Sequence, residues 1–412
     1  MLASNEAGTT GASSALQEVP GTQIRPAQSA TPPPRADVIA GGESVRPYIN
    51  DQLNSRLPQP LPDSPSIVRW QSNLDPEFPV SFVLAAGNRI LLQGPGRWQL
   101  FDTEGKSLRL GKLGAGDVVM DDANGVFYII DPFGVLEAHR LTDGELEYSV
   151  SISGGEEWQR SFYARRSQEF AVASFQREIQ PHGAVTPTAV TIDVEDLGNP
   201  LQIEQQTVVS SKQESRLYYE VPRVSAALLG QTLVAAISNE LLVTAFGKSI
   251  RTRLLGTFAA GPLSLDEAGR IYLLAGHDNR VSLWVLTSSG ERAFAFDFPA
   301  DIPVRPMPPV VGYSHQTYFT TGESVLCLSA EGKLQWRKTA GAAVVGLAAA
   351  PSDEVVVSAG SDLAAFDSHG ERRVIHTFKG DVLKTPPAMT RDGDLVVASA
   401  RHLYRLTASR HH

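Results

Sequence analysis

Side chains that could carry out chemistry are few, and their spacing matches no known catalytic or metal-binding pattern. The chain has 412 residues, with nine histidines and a single cysteine, Cys327. One cysteine excludes an internal disulfide framework and a cysteine-based zinc cluster. No two histidines have the His-x-x-x-His spacing of a helical zinc site, and no Gly-x-Ser-x-Gly nucleophile motif is present. The sequence therefore predicts no catalytic, metal-binding or cofactor-binding residues.

Oxygen-bearing side chains cluster most densely at 121–125 (DDANG) and 193–196 (DVED). Such residues can bind calcium, but neither cluster has the 12-residue loop spacing with a closing glutamate. Asp and Asn also favour tight turns, which is the interpretation adopted for both clusters. The glycine-rich stretch 94–98 (GPGRW) precedes a strand rather than a phosphate-binding helix N-terminus, so it too is interpreted as a turn.

Contact with a protein partner is the one binding role that particular residues suggest. The intervals between successive turn glycines are longest from Gly144 to Gly247. This stretch also carries Trp and Arg, which are enriched in interface hot spots. The candidate contact residues are Trp158, Arg160, Arg165, Arg166, Arg177 and His182. Long surface loops also cost little entropy, so a tolerated insertion is the alternative interpretation.

Composition narrows the class of protein. Hydrophobic residues make up 42% of the chain, which is enough for a large core, and the net charge of −9 argues against binding nucleic acid or anionic lipid through a basic surface. No run of about 20 apolar residues predicts a membrane span. The first residues, MLASNE, lack the basic and apolar regions of a secretory signal. The protein is then either cytoplasmic or a mature chain from which a signal has been removed.

Residues 1–65 differ from the rest of the chain. They hold ten of the 27 prolines and one aromatic residue, Tyr48. Such a segment buries too little apolar surface to offset its ordering entropy. We expect either a disordered tether or an extended arm that lies on a partner, because proline-rich stretches are stiff and lose little entropy on binding. Residues 409–412 are expected to form a short tail.

From residue 66 to 408 the pattern changes to short β-type runs that are bounded by Gly, Asp, Asn and Ser. A strand–turn–strand element recurs, with its turn glycine at Gly105, Gly144, Gly290, Gly332 and Gly370, and weaker copies at 198 and 247. The intervals between these glycines run from 38 to 54 residues. A period of roughly 40 to 50 residues with four strands per unit is typical of β-propeller blades.

The two ends of this region predict how the propeller closes. The last repeat lacks an outermost strand, whereas residues 66–71 (SIVRWQ) form a strand with no repeat of its own. We expect residues 66–71 to complete the last blade, since closure removes free sheet edges. The prediction is an all-β, eight-bladed propeller with seven blades as the alternative, preceded by a Pro/Ser-rich arm.

The element at 328–336 (LSAEGKLQW), with its glycine followed by Trp336, resembles the quinoprotein-type (PQQ-like) propeller repeat. Trp70 matches approximately, and Leu108, Tyr148, Ile250, Phe294 and Val374 stand near the equivalent position elsewhere. That family includes quinone-dependent dehydrogenases and cofactor-free scaffolds. Closest in style is the lipoprotein propeller of the bacterial outer-membrane barrel-assembly machinery. A dehydrogenase of this family would need a vicinal cysteine pair, a Ca²⁺ site and an Asp base, and one cysteine cannot make the pair.

The resemblance therefore implies a non-catalytic scaffold without a cofactor, which mediates protein–protein interactions in a bacterial envelope complex. Its partners would be other proteins of that complex, bound through the arm or the third blade, and its location would be periplasmic or otherwise extracytoplasmic. Two other functions stay open: a propeller enzyme, and a sensor propeller that binds a ligand or carbohydrate. A cytoplasmic location is the alternative.

Overall fold

The computed structural model describes residues 55–62, 66–113, 118–122, 125–130, 135–151, 158–166, 169–177, 185–193, 203–207, 224–229, 232–237, 240–245, 248–253, 258–277, 280–299 and 307–408. All regular structure within these ranges is β-strand, so the predicted all-β class is confirmed. None of the described residues forms a helix that could cross a bilayer.

The described strands form eight antiparallel sheets of four strands each. In seven of them, four strands that follow one another along the chain lie side by side. Sheet 1 contains β2 (Phe82–Ala86), β3 (Arg89–Gly94), β4 (Arg97–Asp102) and β5 (Ser107–Lys112). Sheet 2 contains β6 (Val119–Asp121), β7 (Val126–Ile130), β8 (Val135–Arg140) and β9 (Leu146–Ser151). Sheet 3 contains β10 (Trp158–Arg166), β11 (Glu169–Arg177), β12 (Val185–Asp193) and β13 (Ile203–Thr207).

The remaining sheets repeat this order. Sheet 4 contains β14 (Val224–Leu229), β15 (Thr232–Ile237), β16 (Glu240–Ala245) and β17 (Lys248–Arg253). Sheet 5 contains β18 (Phe258–Leu265), β19 (Ile271–His277), β20 (Arg280–Leu286) and β21 (Arg292–Asp297). Sheet 6 contains β22 (Val310–Val311), β23 (Thr317–Thr320), β24 (Ser324–Leu328) and β25 (Leu334–Thr339). Sheet 7 contains β26 (Val344–Ala349), β27 (Val355–Ala359), β28 (Asp362–Phe366) and β29 (Arg372–Thr377).

Sheet 8 is assembled from both ends of the described chain. Its strands are β30 (Ala388–Met389), β31 (Leu395–Ala398), β32 (His402–Ala408) and β1 (Ser66–Asn73). Strand β1 pairs antiparallel with β32 from Ser66 opposite Ala408 to Asn73 opposite His402, with one shift in register. The first strand of the described chain is thus the outer strand of the last sheet.

Burial depends on the position of a strand in its sheet, as four strands with described burial show. The second strand is continuously buried in β27 and β31, whereas the fourth strand alternates between exposed and partly buried residues in β1 and β21. This alternation is typical of a strand with one face in solvent. The apolar clusters lie between sheets: one joins sheets 1 and 2, one joins sheets 6 and 7, one joins sheets 7 and 8, and one joins sheets 8 and 1.

The turn between the third and fourth strands explains the glycine repeat. In sheet 7 the Asp367 carboxylate accepts the backbone N–H groups of His369 and Glu371, and Gly370 follows the left-handed path at φ 77°. Glycine adopts that region without steric cost. An added Cβ at Gly370 would also lie 2.9 Å from the Trp336 ring of sheet 6, so the position needs glycine for two reasons.

The tryptophan of the repeat therefore fastens one sheet to the next. Trp336 Nε1 donates to the carbonyl oxygen of Ser368, 3.0 Å away in the turn of sheet 7. Phe294 packs in the same way against Gly332. In sheet 1 the residue that lies against the next glycine, Gly144, is Arg109 and not Leu108. Arg109 follows Gly105 by four residues, as Phe294 follows Gly290 and Trp336 follows Gly332.

Candidate functional site

Residues 55–62, here called the docked segment, lie against sheets 5 to 8 of their own chain. The sequence predicted a disordered tether or an extended arm on a partner, and residues 55–62 contact their own chain. Leu57 N–H donates to the carbonyl oxygen of Ala349 at 2.7 Å, and Ala349 N–H donates to that of Ser55 at 2.8 Å. Arg56 thereby forms a parallel bridge with the end of β26, the edge strand of sheet 7. The segment adds one bridge to this edge.

The guanidinium of Arg56 is at the centre of this contact and is 2% exposed. Its Nε donates to the carbonyl oxygen of Val311 at 2.8 Å, and its Nη2 donates to that of Gly312 at 2.7 Å. Nη1 makes an ion pair with Glu267, and the ring of Tyr313 lies 4.7 Å from the guanidinium carbon. A buried cation is tolerated only with such partners, and charge-assisted hydrogen bonds are the stronger class.

Apolar and main-chain contacts extend along the docked segment. Leu57 and Leu61 are buried in the apolar cluster between sheets 7 and 8. The Tyr313 hydroxyl donates to the Leu57 carbonyl oxygen at 2.7 Å, and the Gln59 amide donates to that of Arg391 at 2.6 Å. Arg373 donates to the carbonyl oxygen of Pro62 at 3.0 Å. The surface that holds residues 55–62 is here called the arm seat.

The arm seat is built by four equivalent turns that join the first and second strands of sheets 5 to 8. Each turn closes with the same pair of backbone hydrogen bonds. The fourth turn residue is left-handed in every case: Gly269, His315, Asp353 and Gly393. His315 and Asp353 adopt φ 63° and 58°, where residues other than glycine are strained. Their side chains meet neighbouring turns, since His315 Nδ1 lies 3.4 Å from Asp266 and Asp353 accepts the Ser314 hydroxyl at 2.7 Å.

Asp266 holds the turn of sheet 5 together. Its buried carboxylate accepts the backbone N–H groups of Ala268 and Arg270, the Arg270 side chain at 2.6 Å and the Tyr272 hydroxyl at 3.0 Å. Burial alone would raise the pKa of Asp266, but the hydrogen bond from His315 and the charge of Arg270 outweigh it and lower the pKa to about 2. The carboxylate is therefore a fixed negative charge beside Glu267, the ion-pair partner of Arg56.

A second polar cluster surrounds Asp381, in the loop before β30. Its Oδ2 accepts the hydroxyls of Ser399 at 2.6 Å and Tyr404 at 2.7 Å, and it lies 2.7 Å from His402 Nδ1. These are the residue types of a hydrolase, but Ser399 is fully buried and its hydroxyl points to the aspartate rather than the histidine. A nucleophilic serine needs the histidine as its base. The cluster instead fixes the loop against the turn between β31 and β32.

The predicted partner-contact residues fall in sheet 3. Trp158, Arg160, Arg165 and Arg166 lie in β10, and Arg177 is the last residue of β11, so these five are strand residues rather than loop residues. His182 lies outside the described residues, as do the turn glycines at 198 and 247. The structure places the five in one sheet, and their contact with a partner stays a prediction. The residues that sequence reasoning missed are those of the arm seat.

No protein-family model matches the sequence, and no curated protein matches it either. Solved structures do match. The chain is similar to BamB from Moraxella catarrhalis, at 12% identity and a TM-score of 0.54 over 83% of this chain and 99% of that one. It is also similar to a quinohemoprotein alcohol dehydrogenase from Comamonas testosteroni, at 11% identity and a TM-score of 0.63 over 92% of this chain and 82% of that one. The fold is that of the PQQ-like β-propellers. Sqt1 from Saccharomyces cerevisiae is also similar, at 13% identity and a TM-score of 0.52, over 84% of this chain and 100% of its own.

The residues of this chain do not fit the quinone cofactor of the dehydrogenases that its repeat resembles. The sole cysteine, Cys327, is buried in β24, and its Sγ lies 3.2 Å from Gln335 Oε1. Burial raises the pKa of the Cys327 thiol to about 12. Across the described ranges, no group of three His, Cys, Asp or Glu side chains is arranged to hold a metal ion. The cysteine pair that such a site requires is excluded by the sequence.

Proposed function

We propose that the eight sheets are the eight blades of one closed propeller, with β1 as the closing strand. The support is the apolar cluster shared by sheets 8 and 1, together with Trp70, whose Nε1 donates to the carbonyl oxygen of Thr103 at 2.6 Å. Trp70 lies against Gly105 as Trp336 lies against Gly370. Sheet 8 thus contacts sheet 1 in the same way that sheet 6 contacts sheet 7.

We propose further that this propeller is a non-catalytic scaffold that mediates protein–protein interactions. The observation that carries the proposal is the arm seat, in which turns of four sheets hold a short proline-interrupted segment through side-chain pockets and a strand edge. Edge pairing with side-chain pockets is a recurring way in which proteins bind peptides. A rigid ring of sheets with recognition residues in its turns suits a scaffold better than a reaction centre.

The proposed setting is a bacterial envelope complex outside the cytoplasm. Two things support it: the similarity in fold to BamB, and the resemblance of the repeat at 328–336 to the propeller of the outer-membrane barrel-assembly machinery. The proposed partners are other proteins of such a complex. They would bind through the N-terminal arm or through the arginine-bearing strands of sheet 3, β10 and β11.

The experiment that tests this function is a cross-linked pull-down of the tagged full-length chain from its native envelope. A matched variant, Arg165→Glu with Arg166→Glu, carries the same tag. We expect defined partner proteins to co-purify with the wild type and to be depleted with the variant if sheet 3 binds them. Recovery of the wild-type chain alone after cross-linking would contradict a scaffold. A quinone absorbance in the purified chain would contradict the non-catalytic assignment.

A further inference from the structure

We propose that the arm seat is a peptide-recognition site for segments in which arginine is followed by leucine, with a second leucine four residues later. The docked segment (SRLPQPLP) is then a ligand supplied by the chain itself, and a partner protein offers a segment of the same chemistry. This inference rests on the proposed scaffold function, because it names the class of partner. It is argued from the contacts of residues 55–62 alone.

The pocket for Arg56 is selective for a guanidinium. Two carbonyl oxygens, of Val311 and Gly312, accept from two different nitrogens, and the Glu267 carboxylate meets the third. The ring of Tyr313 covers the flat face of the group. A lysine ammonium is a compact point charge and cannot reach these acceptors in the same planar arrangement. The seat therefore distinguishes arginine from lysine.

The other contacts of the arm seat are with the backbone and the apolar side chains of the docked segment. The main chain on either side of Arg56 bonds to Ala349 at the edge of sheet 7, which any sequence could do. Leu57 and Leu61 enter the apolar cluster of sheets 7 and 8, and each is at most 5% exposed. Three prolines in the docked segment limit its freedom before it binds, which lowers the entropy lost on docking. One charged anchor and two apolar anchors define the recognised pattern.

The docked segment has the features of an exchangeable ligand. It is eight residues long and makes a single bridge to a sheet, whereas β1 pairs with β32 along its length. Its anchoring side chain, Arg56, is a buried charge, and a buried ion pair adds little net stability because both charges lose their hydration. Residues 63–65 join it to β1, so the segment competes with a free peptide at an effective concentration of the order of millimolar. A partner segment must outcompete it or meet a chain that has released it.

The test measures binding of a fluorescein-labelled peptide of residues 55–62 to the full-length chain by fluorescence anisotropy. In the variant Arg56→Ala with Leu57→Ser the seat loses its own ligand while every residue of the seat is kept. We expect saturable binding to this variant, and binding at least about tenfold weaker to the wild type, whose own segment competes. A peptide with lysine in place of arginine should bind at least about tenfold more weakly, since it loses charge-assisted hydrogen bonds.

Two results would overturn the inference: no saturable binding to the folded variant, or equal binding of the arginine and lysine peptides. If the variant does not fold, a wild-type chain with a protease site at residues 63–65 takes its place. After cleavage we expect the labelled peptide to exchange with the docked segment, and failure to exchange overturns the inference as well. Partners that co-purify in the envelope experiment while no peptide binds would leave the scaffold standing and remove only the peptide site.

Discussion

The indole N–H of Trp70 donates to the carbonyl oxygen of Thr103, so the outer strand of sheet 8 is fastened to the turn of sheet 1. Trp336 of sheet 6 makes the same bond to Ser368 of sheet 7, two joins earlier in the order of the sheets. Each indole ring also packs against a left-handed glycine that follows the accepting carbonyl by two residues. Two tryptophans far apart in the sequence thus perform one task, and both can be tested separately.

The first prediction concerns Trp70. Replacement by Phe keeps the ring contact with Gly105 but removes the hydrogen bond to Thr103, so the free energy of unfolding should fall by about 1 kcal/mol. Replacement by Ala also removes the ring and should cost about 2–4 kcal/mol. Denaturant titration followed by tryptophan fluorescence and circular dichroism measures both. Gln71→Ala, on the same strand, is the control, and an equal effect of Trp70→Ala and Gln71→Ala would refute the role of the indole.

The second prediction separates the two reasons why position 370 needs glycine, its left-handed backbone and the close approach of the Trp336 ring. An alanine there must adopt φ 77° and places its Cβ 2.9 Å from the Trp336 ring. Gly380 has nearly the same φ, 76°, but a Cβ there meets nothing within 4 Å. We expect Gly380→Ala to lower the free energy of unfolding by about 1–2 kcal/mol from backbone strain alone. Gly370→Ala should lower it by a further amount of about 1–3 kcal/mol from overpacking. Thermal and denaturant unfolding should agree, and equal costs would contradict the ring contact.

The third prediction follows from the lowered pKa of Asp266. Its folded-state pKa of about 2 lies below the ordinary value of 3.8, so the folded state favours the ionised carboxylate. Its contribution, about 2 kcal/mol, is complete above the ordinary pKa and is lost as pH falls from about 4 towards 2. Asp266→Asn should therefore be less stable than the wild type at pH 7, and the difference should shrink as the pH falls through this window.

Unfolding curves at several pH values between 7 and 2 measure the Asp266 effect. Ser264→Ala is a suitable control, because it removes a buried hydrogen bond to Pro309 from the same strand end without removing a titrating group. Its destabilisation should be the same at every pH. A gap between the wild type and Asp266→Asn that stays constant down to pH 2 would argue against a lowered pKa.

The fourth prediction concerns the local role of Arg56. In Arg56→Ala the docked segment loses its central anchor, so the Leu57 and Ala349 amides should exchange hydrogen for deuterium faster. Those two amides donate the hydrogen bonds between the segment and β26. Amides of β27, which pair within sheet 7, should keep their protection. Hydrogen exchange with mass spectrometry measures this, and uniform loss of protection across sheet 7 would mean that Arg56 supports the whole sheet.

The repeat could be predicted from the sequence because the residues that form it lie close together along the chain. A left-handed turn position favours glycine, and the aspartate or serine before it accepts nearby backbone N–H groups, so the signal at Gly332 and Gly370 is contained in six residues. The position that packs on the next glycine is less local. Arg109 has the right offset but the wrong residue type, so comparison with Trp336 led to Leu108, which is apolar.

The arm seat was missed because its partners are far apart in sequence. Arg56 and Val311 are 255 residues apart, and nothing in a proline-rich segment shows which distant carbonyls will receive a guanidinium. Composition also misleads, since two leucines among many prolines and polar residues suggest no core, yet both are buried. The strained His315 gives a clue only in three dimensions, because its left-handed backbone is invisible in the sequence.

The pairing of β1 with β32 sets an order of events during synthesis. Ser66 emerges from the ribosome more than 300 residues before Ala408, its partner across the strand. Until β32 is made, sheet 8 cannot form, and both sheet 1 and sheet 7 lack their neighbour. The nascent chain must therefore keep β1 unpaired while the strands of sheets 1 to 7 are made, when exposed edges favour aggregation. A chaperone that covers this single strand would protect the entire assembly step.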